Sequence, residues 1–336
     1  MLRRYLLILL LPVFLYSCEK PEEALVLPPP TGASHATLEL GADYSRQVFF
    51  DFASGKAVMS SDPKAWHLAF ETGADQRHIF MNGGEKVYIH NTRKTSFSDV
   101  TQLPPQLSPT GYSGWTFDMP CGMSDSTAIG DWYNTDGSTK GEVYILEYRT
   151  GLGTFDVEFV KFRILGLEGS TYQFEWAMLD GAGGIKQVSI KKDTTANFSY
   201  FSFTQGQAFL EPPKDKWDFV FTRYRHIYRD YQGIPQFPYE VTGVLLNPVR
   251  MKSVADSLTG FENITKEFAA TRTASGYRDV IGFEWKEYIN AVYKVKRINS
   301  FIVWTQHNEV YKLHFLDYYN SAGEQGYPLL EFQRLQ

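Results

Sequence analysis

Residues 217–221 read WDFVF, and residues 66–70 read WHLAF, 151 positions earlier. Upstream of each tryptophan lies a second match at the same offset, FFDFASG (Phe49–Gly55) against YFSFTQG (Tyr200–Gly206). Two collinear matches at one offset mark a duplicated segment. The far ends agree as well: VYILEY then FDVEFVKF (143–162) parallels FIVWTQ then YKLHFLDY (301–318), with the offset now near 156, a drift that a short insertion explains. A period of about 150 residues gives each copy enough chain to bury its own core, so two sister domains in tandem are expected rather than a solenoid of small units. The stretch DGAGG (Asp180–Gly184) falls where the first copy ends, which puts the domains at 37–180 and 185–336.

Both copies read as mostly β. Aromatic residues make up 16% of the chain, and such rings favour strands because they pack on a pleated, half-buried surface. In YKLHFLDY, Tyr311, Leu313 and Phe315 point one way and Lys312 and His314 the other, the pattern of a strand with one dry face. Turn residues separate the runs, as in TDG (135–137), EGS (168–170) and SAGEQG (321–326), so antiparallel hairpins follow. One segment departs from this. Val254, Leu258, Phe261, Ile264 and Phe268 recur at helical spacing behind Ser253 as N-cap, which predicts an amphipathic helix there. Its counterpart in the first copy is cut short by Pro104 and Pro105. The second copy also carries RDYQGIPQFPYEVTG (229–243), read as a rigid aromatic loop that either flanks a ligand or covers a sheet edge.

The first residues, MLRRYLLILLLPVFLYSC, have a basic start and an apolar run too short to span a bilayer, which suits a signal peptide over 1–17. LYSC resembles a bacterial lipobox, with Cys18 as the lipidated residue. The acidic and Pro-rich segment 18–36 then serves as an extended tether. Its EKPEE resembles the signal that sends some lipoproteins to the outer face of the outer membrane. With Cys18 lipidated, Cys121 stands alone, so no intramolecular disulfide is expected. The net charge of −5 does not attract a phosphate backbone, which argues against nucleic-acid binding.

No phosphate loop, nucleophile elbow, HExxH or CxxC pair occurs, so the expectation is a binding protein and not an enzyme. Two histidines recur in similar settings, His78 in RHIF and His226 in RHIY; each is a ligand contact or a strand residue bonded to a nearby carboxylate. In DMPCGM, Met119 and Met123 flank Cys121. Soft sulfur can ligate haem iron or copper, and methionine equally fills gaps in a core.

NFSYFSFTQGQAF leading to KWDFVFTRY, and the closing FIVWTQHNEVYKLHFLDYYNSAGEQG, resemble the HmuY family of haem-binding lipoproteins. The first copy is similar in VFFDFASGKAV, in WHLAF with IFMNGG after it, and in IGDWYNTDG. The resemblance implies two tandem family-like units of a mostly β, hand-shaped fold, anchored at the outer membrane, that capture haem for a TonB-dependent receptor. It also draws Trp132 and Trp285 into the list of ligand contacts. Five residues past these tryptophans, where the best-known members carry a histidine, stand Gly137 and Asn290. Haem ligation would then fall to Met119 or Met123, with Met251, in the second copy, as a third candidate. The alternative is a glycan- or protein-binding module on the same scaffold that has lost haem ligation.

Overall fold

Phe50 takes its cross-strand partner from the far half of the chain, at Phe219, and that pairing organises the molecule. The computed structural model describes residues 32–107, 114–150 and 156–336; the signal sequence, Cys18 and most of the tether lie outside them. The first half supplies β1 (Ser34–Thr37), β2 (Gln47–Asp51), β3 (Lys56–Ser61), β4 (Leu68–Glu71), β5 (Ile79–Met81), β6 (Tyr88–Asn91), β7 (Val143–Arg149), β8 (Val157–Glu168) and β9 (Thr171–Met178). The second supplies β10 (Lys186–Lys191), β11 (Phe198–Ser202), β12 (Gly206–Ala208), β13 (Phe219–Tyr231), β14 (Ile234–Leu246) and β15 (Lys252–Asp256). After it come α1 (Lys266–Ala270), then β16 (Lys286–Ile289), β17 (Val292–Val295), β18 (Ser300–Trp304), β19 (Val310–Tyr319) and β20 (Gln325–Arg334). The class is mostly antiparallel β, as the aromatic content and alternation predict.

The sheets come in matched pairs. One five-stranded sheet runs β10-β9-β8-β7-β6 and the other β1-β20-β19-β18-β15; one four-stranded sheet runs β12-β11-β4-β5 and the other β14-β13-β2-β3. In each pair the order is the same once strands are matched between halves, and in each the opening strands come from the opposite half. Thus β1–β3 complete the sheets of β13–β20, while β10–β12 complete those of β4–β9. The cores divide the same way. Leu68, Phe70, Trp132, Phe162, Tyr172, Phe201 and Phe203 share one cluster. Leu38, Val48, Phe50 and Phe52 belong to the other, with Phe219, Trp285, Phe315 and Phe332. Alternation chooses which face of a strand is buried but not which strand it pairs with, so two copies with the same pattern can exchange edges at no cost in burial.

DGAGG, expected between two domains, is the hairpin turn from β9 to β10, which pair from Lys186↔Trp176 to Lys191↔Thr171. The two strands that anchor the far-end match are also in closer register than the offset of 156 implies. Lys161 on β8 donates to the carbonyls of Phe97 and Val100 at 2.9 and 2.7 Å, and Lys312 on β19 donates to Phe261 O at 2.8 Å. Each ammonium also lies over the ring of the phenylalanine whose carbonyl it meets, at 4.7 and 4.5 Å. These lysines stand 151 positions apart. They explain why the polar face of β19 is not wet: Lys312 and His314 are both buried, and the Phe261 ring stacks on His314 at 4.2 Å.

The helix expected from Ser253 to Phe268 does not form. Val254 lies in β15 opposite Ile302, and Ser253 donates its hydroxyl to Ile302 O at 3.0 Å instead of capping a helix. Asp256 then accepts from the backbone of Leu258 and Thr259, and Gly260 turns the chain at φ 76°. Only the short α1 survives, capped by Thr265, whose hydroxyl accepts from Phe268 N. The local side-chain turn outcompetes helix for this stretch. The aromatic segment 229–243 is likewise no loop. It forms the outer part of a long ribbon, β13 with β14, closed by a two-residue turn at Gln232 and Gly233 with φ 53° and 83°. Two successive positive φ values are what a tight hairpin of right-handed twist requires.

Gly84 locks the two halves together. A Cβ there would stand 2.5 Å from the carbonyl oxygen of Arg223 on β13, and at Gly83 it would meet Arg225 Cβ at 2.9 Å. The Arg223 carbonyl belongs to a paired strand and cannot retreat. Gly84→Ala is expected to cost about 1–3 kcal/mol of stability by overpacking, read as a lower urea midpoint; an unchanged midpoint would show that the turn lifts away freely.

Candidate ligand cleft

Between the two four-stranded sheets lies a cleft with some 840 Å³ of empty space, counting the part open to solvent. Its walls repeat the duplication. Gln47, Phe49, Trp66 and Ala69 line it from the first half, and Phe198, Tyr200, Trp217 and Val220 occupy the positions 151 residues on. Because the opening strands are exchanged, each tryptophan packs on the aromatic of the opposite half. Trp66 meets Tyr200 edge-on at 5.3 Å, and Trp217 meets Phe49 at 5.0 Å. WHLAF and WDFVF therefore recur because they build the two sides of one cavity. Phe80 and Leu245 extend the apolar surface.

Three arginines and one carboxylate supply the charge. Arg223 faces Glu85 at 3.4 Å. Arg225 is almost wholly buried, lies over the Tyr88 ring at 4.3 Å and donates Nη1 to Val87 O at 3.0 Å. Its Nε and Nη2 have no partner. The nearest carboxylate, Glu240, stands 3.9 Å from Nε, beyond hydrogen-bonding range, and is itself paired with Lys86 at 3.2 Å. Arg278 donates Nε to Leu246 O at 2.8 Å, and among the described residues no acceptor meets its Nη groups. Gly122 holds it close, since a Cβ there would stand 2.4 Å from Arg278 Cδ. Burial pulls both guanidinium groups down from the usual arginine range. Asp118 does not answer them, because its two oxygens accept from Met81 N at 2.6 Å and Ala128 N at 2.8 Å. Burial raises its carboxyl to about 6, against those two hydrogen bonds. Glu211, near Arg278, is pushed up to about 7 by burial while the amides of Phe198 and Asn197 pull it down.

The residues expected to touch a ligand scatter. Met119 lines the cleft and is 44% exposed; Met123 is as open but lies outside the lining. Met251 is a core residue packed with Trp285 and Phe301, too deep to reach any ligand. Trp132 and Trp285 are buried as well. Trp132 donates Nε1 to Arg77 O at 2.8 Å, and Trp285 stacks on Phe315 at 3.8 Å. His78 lies just ahead of β5, between Glu71 at 3.2 Å and Asp131 at 3.4 Å, whereas His226 sits within β13 against Phe283 and Tyr228. The two are not counterparts, and no histidine lines the cleft. Sequence reasoning missed Trp66 and Trp217 as walls, Met81 as a second thioether there, and Arg225 and Arg278. The Gly83–Gly84 pair within IFMNGG was the one available pointer to Arg225.

For haem the fit is uneven but workable. The aromatic walls suit a porphyrin and the arginines suit its acid groups, while the sulfur donors are confined to Met119 at the rim and Met81 in the wall. No metal-binding group of three or more His, Cys, Asp or Glu side chains occurs among the described residues, and no described helix is long and apolar enough to cross a membrane.

Residues 43–163 match the family model described as HmuY protein, a span that runs from ahead of β2 into β8. The resemblance read from the sequence holds over those residues of the first copy. No curated protein matches the chain. Among solved structures, apo PinO from Porphyromonas gingivitis aligns at 8% identity over 91% of this chain and 99% of its own, with a TM-score of 0.25. An apo HmuY analogue from Tannerella forsythia aligns at 10% identity over 90% and 96%, with a TM-score of 0.20. An HmuY-like protein from Bacteroides vulgatus aligns at 10% over 91% and 94%, at 0.23. Scores this low carry no weight for the fold or for the site.

Proposed function

We propose that this protein is a non-catalytic haem-binding lipoprotein of the outer membrane, tethered through Cys18, that captures haem in the cleft and passes it to a TonB-dependent receptor. The observation that carries this reading is the cleft itself, with two tryptophans, a cluster of phenylalanines and three arginines against one carboxylate in its lining, in a chain whose residues 43–163 match the HmuY family model. The duplication serves the same end: two copies that exchange their opening strands make one cavity with a wall from each. Met119 is the axial donor in this reading, since it alone combines exposure with a place in the lining. The second reading, a glycan or protein ligand, draws support from the absence of histidine in the cleft and from the half-exposed Tyr239 on the β13–β14 ribbon.

The test is a haemin titration of residues 32–336, followed by absorbance in both redox states. A saturable one-to-one Soret band is expected, and Met119→Ala should weaken binding about tenfold or more and alter the low-spin bands. Met123→Ala should leave both unchanged. A titration curve that overlays free haemin would end the haem reading.

A further inference from the structure

A second aromatic surface stands apart from the cleft, on the outer part of the β13–β14 ribbon. β2 pairs with β13 only from Phe219 to Phe221, so beyond it the ribbon has two strands and no third. Alternation splits its side chains. Arg223 and Arg225 turn toward the first half, against Glu85 and Tyr88. His226 and Tyr228, opposite Tyr239 and Phe237, occupy the other face. Tyr231 closes over them at the tip, stacked on Phe237 at 4.8 Å and 14°. Phe283 completes the row, 4.9 Å from His226. Tyr239 is 46% exposed, and none of these aromatic residues lines the cleft.

The charge around these rings has one sign. The ionised side chains acting on His226 are Glu284 and Asp279, and on Tyr228, besides neighbouring phenols, Glu284 alone. Asp279 has Arg278 beside it, but Glu284 is exposed and forms no ion pair among the described residues. Burial holds His226 below the usual histidine range, so its ring adds no positive charge at pH 7. Lys286, 5.9 Å from the Phe283 ring, is buried and loses its charge above about pH 7. By the same alternation Arg229 falls on the face of Arg225.

Electron-rich ring faces beside an unpaired carboxylate are what a guanidinium meets best, stacking on the rings and forking onto the acid. The backbone points to a chain as its carrier. From His226 to Tyr231 the outer edge of β13 has no strand beside it, and an extended segment can add there. We propose that the outer face of the β13–β14 ribbon is a docking surface for an extended, arginine-bearing segment of a partner protein. Its guanidinium groups lie over the rings of Tyr228 and Tyr239 and pair with Glu284. The inference is independent of what the cleft holds.

The probe is a peptide of three Arg-Gly repeats compared with its citrulline counterpart, which keeps the shape and lacks the charge. Calorimetry at pH 8, where His226 and Lys286 are both uncharged, reads the binding. The arginine peptide is expected to saturate with a Kd on the order of 0.1 mM, and the citrulline peptide to bind at least about tenfold more weakly. Tyr239→Leu and Glu284→Gln, both at exposed positions, should each weaken arginine-peptide binding about three- to tenfold. Glu168→Gln, at the β8–β9 turn, should leave it unchanged. Equal binding of the two peptides, or no saturable binding up to millimolar arginine peptide, overturns the proposal. So does an affinity that ignores the ribbon substitutions or falls equally with Glu168→Gln, since that would be general attraction to a chain of net charge −5. Adsorption to phosphatidylcholine vesicles in place of peptide binding would give the face to a lipid surface and overturn it as well.

Discussion

A fragment of residues 62–213 folds cooperatively on its own, whereas a fragment of residues 37–180 does not. That is the expected outcome of expressing both and following urea unfolding by tryptophan fluorescence and circular dichroism. The first fragment contains β4–β12 and every buried member of the cluster from Leu68 to Phe203. The second has the boundaries that the sequence repeat alone recommends. It keeps β2 and β3 without β13, the partner of β2, and it lacks β11, so Phe201 and Phe203 vanish from the core. The reciprocal test removes residues 1–61 from the full chain. This deletes Leu38, Leu40, Val48, Phe50 and Phe52 from the other core. Truncating one such residue costs about 2–5 kcal/mol, and a domain has only about 5–15 in all. The β13–β20 unit should therefore unfold while the β4–β12 unit persists. A single cooperative transition in the shortened protein, near the original midpoint, would contradict the exchange of strands.

The second large effect concerns Lys286. Its ammonium lies over the rings of Trp285 and Tyr318 at 4.6 and 4.9 Å, with Tyr293 at 5.6 and Phe283 at 5.9 Å, and it donates to Thr242 O. No carboxylate pairs with it among the described residues. Burial pulls its pKa from the usual lysine value of 10.5 down to about 7. Between about pH 7 and 10.5 the folded lysine is then neutral while the unfolded one is charged. The unfolded chain binds more protons in that window, so stability climbs with pH there and is flat below it. The ceiling is ~5 kcal/mol, reduced because the surrounding rings favour the charged form. Unfolding free energies at pH 6.5 and 9.5 should rise between the two in the native protein and stay level in Lys286→Met. Identical slopes in the two proteins would remove Lys286 as the source.

The class of fold was legible because period-two alternation and aromatic strands write themselves on the sequence, as in Tyr311, Leu313 and Phe315. The pairing of strands was not. FFDFASG and YFSFTQG present nearly the same faces, so nothing local tells β4 to choose β11 over β2; the choice depends on how the whole chain closes. The failed helix over 253–268 shows a different limit. Helical spacing of Val254, Leu258 and Phe261 competed with Asp256, a residue that satisfies the backbone of Leu258 and Thr259 from its side chain, and periodicity does not weigh that competition. The cleft was half visible. Its tryptophans stood in the repeated motif, but an isolated arginine carries no mark of its surroundings. Arg225 and Arg278 become significant only beside Gly83 and Gly122, which the fold brings to them from more than a hundred residues away.

The chain's interleaved ends also fix the order in which it can mature. β4–β12 can collapse as soon as it has been made, because its partners lie in one continuous run. β1–β3 are made before their partners: β2 waits for β13 and β1 for β20, the last of the described strands. For that interval Phe49, Phe50 and Phe52 sit on unpaired edges, the state in which strands add to one another between molecules. Such late, long-range closure is slow. A factor that shields Phe49, Phe50 and Phe52 until β13 and β20 have been made would raise the yield of folded protein.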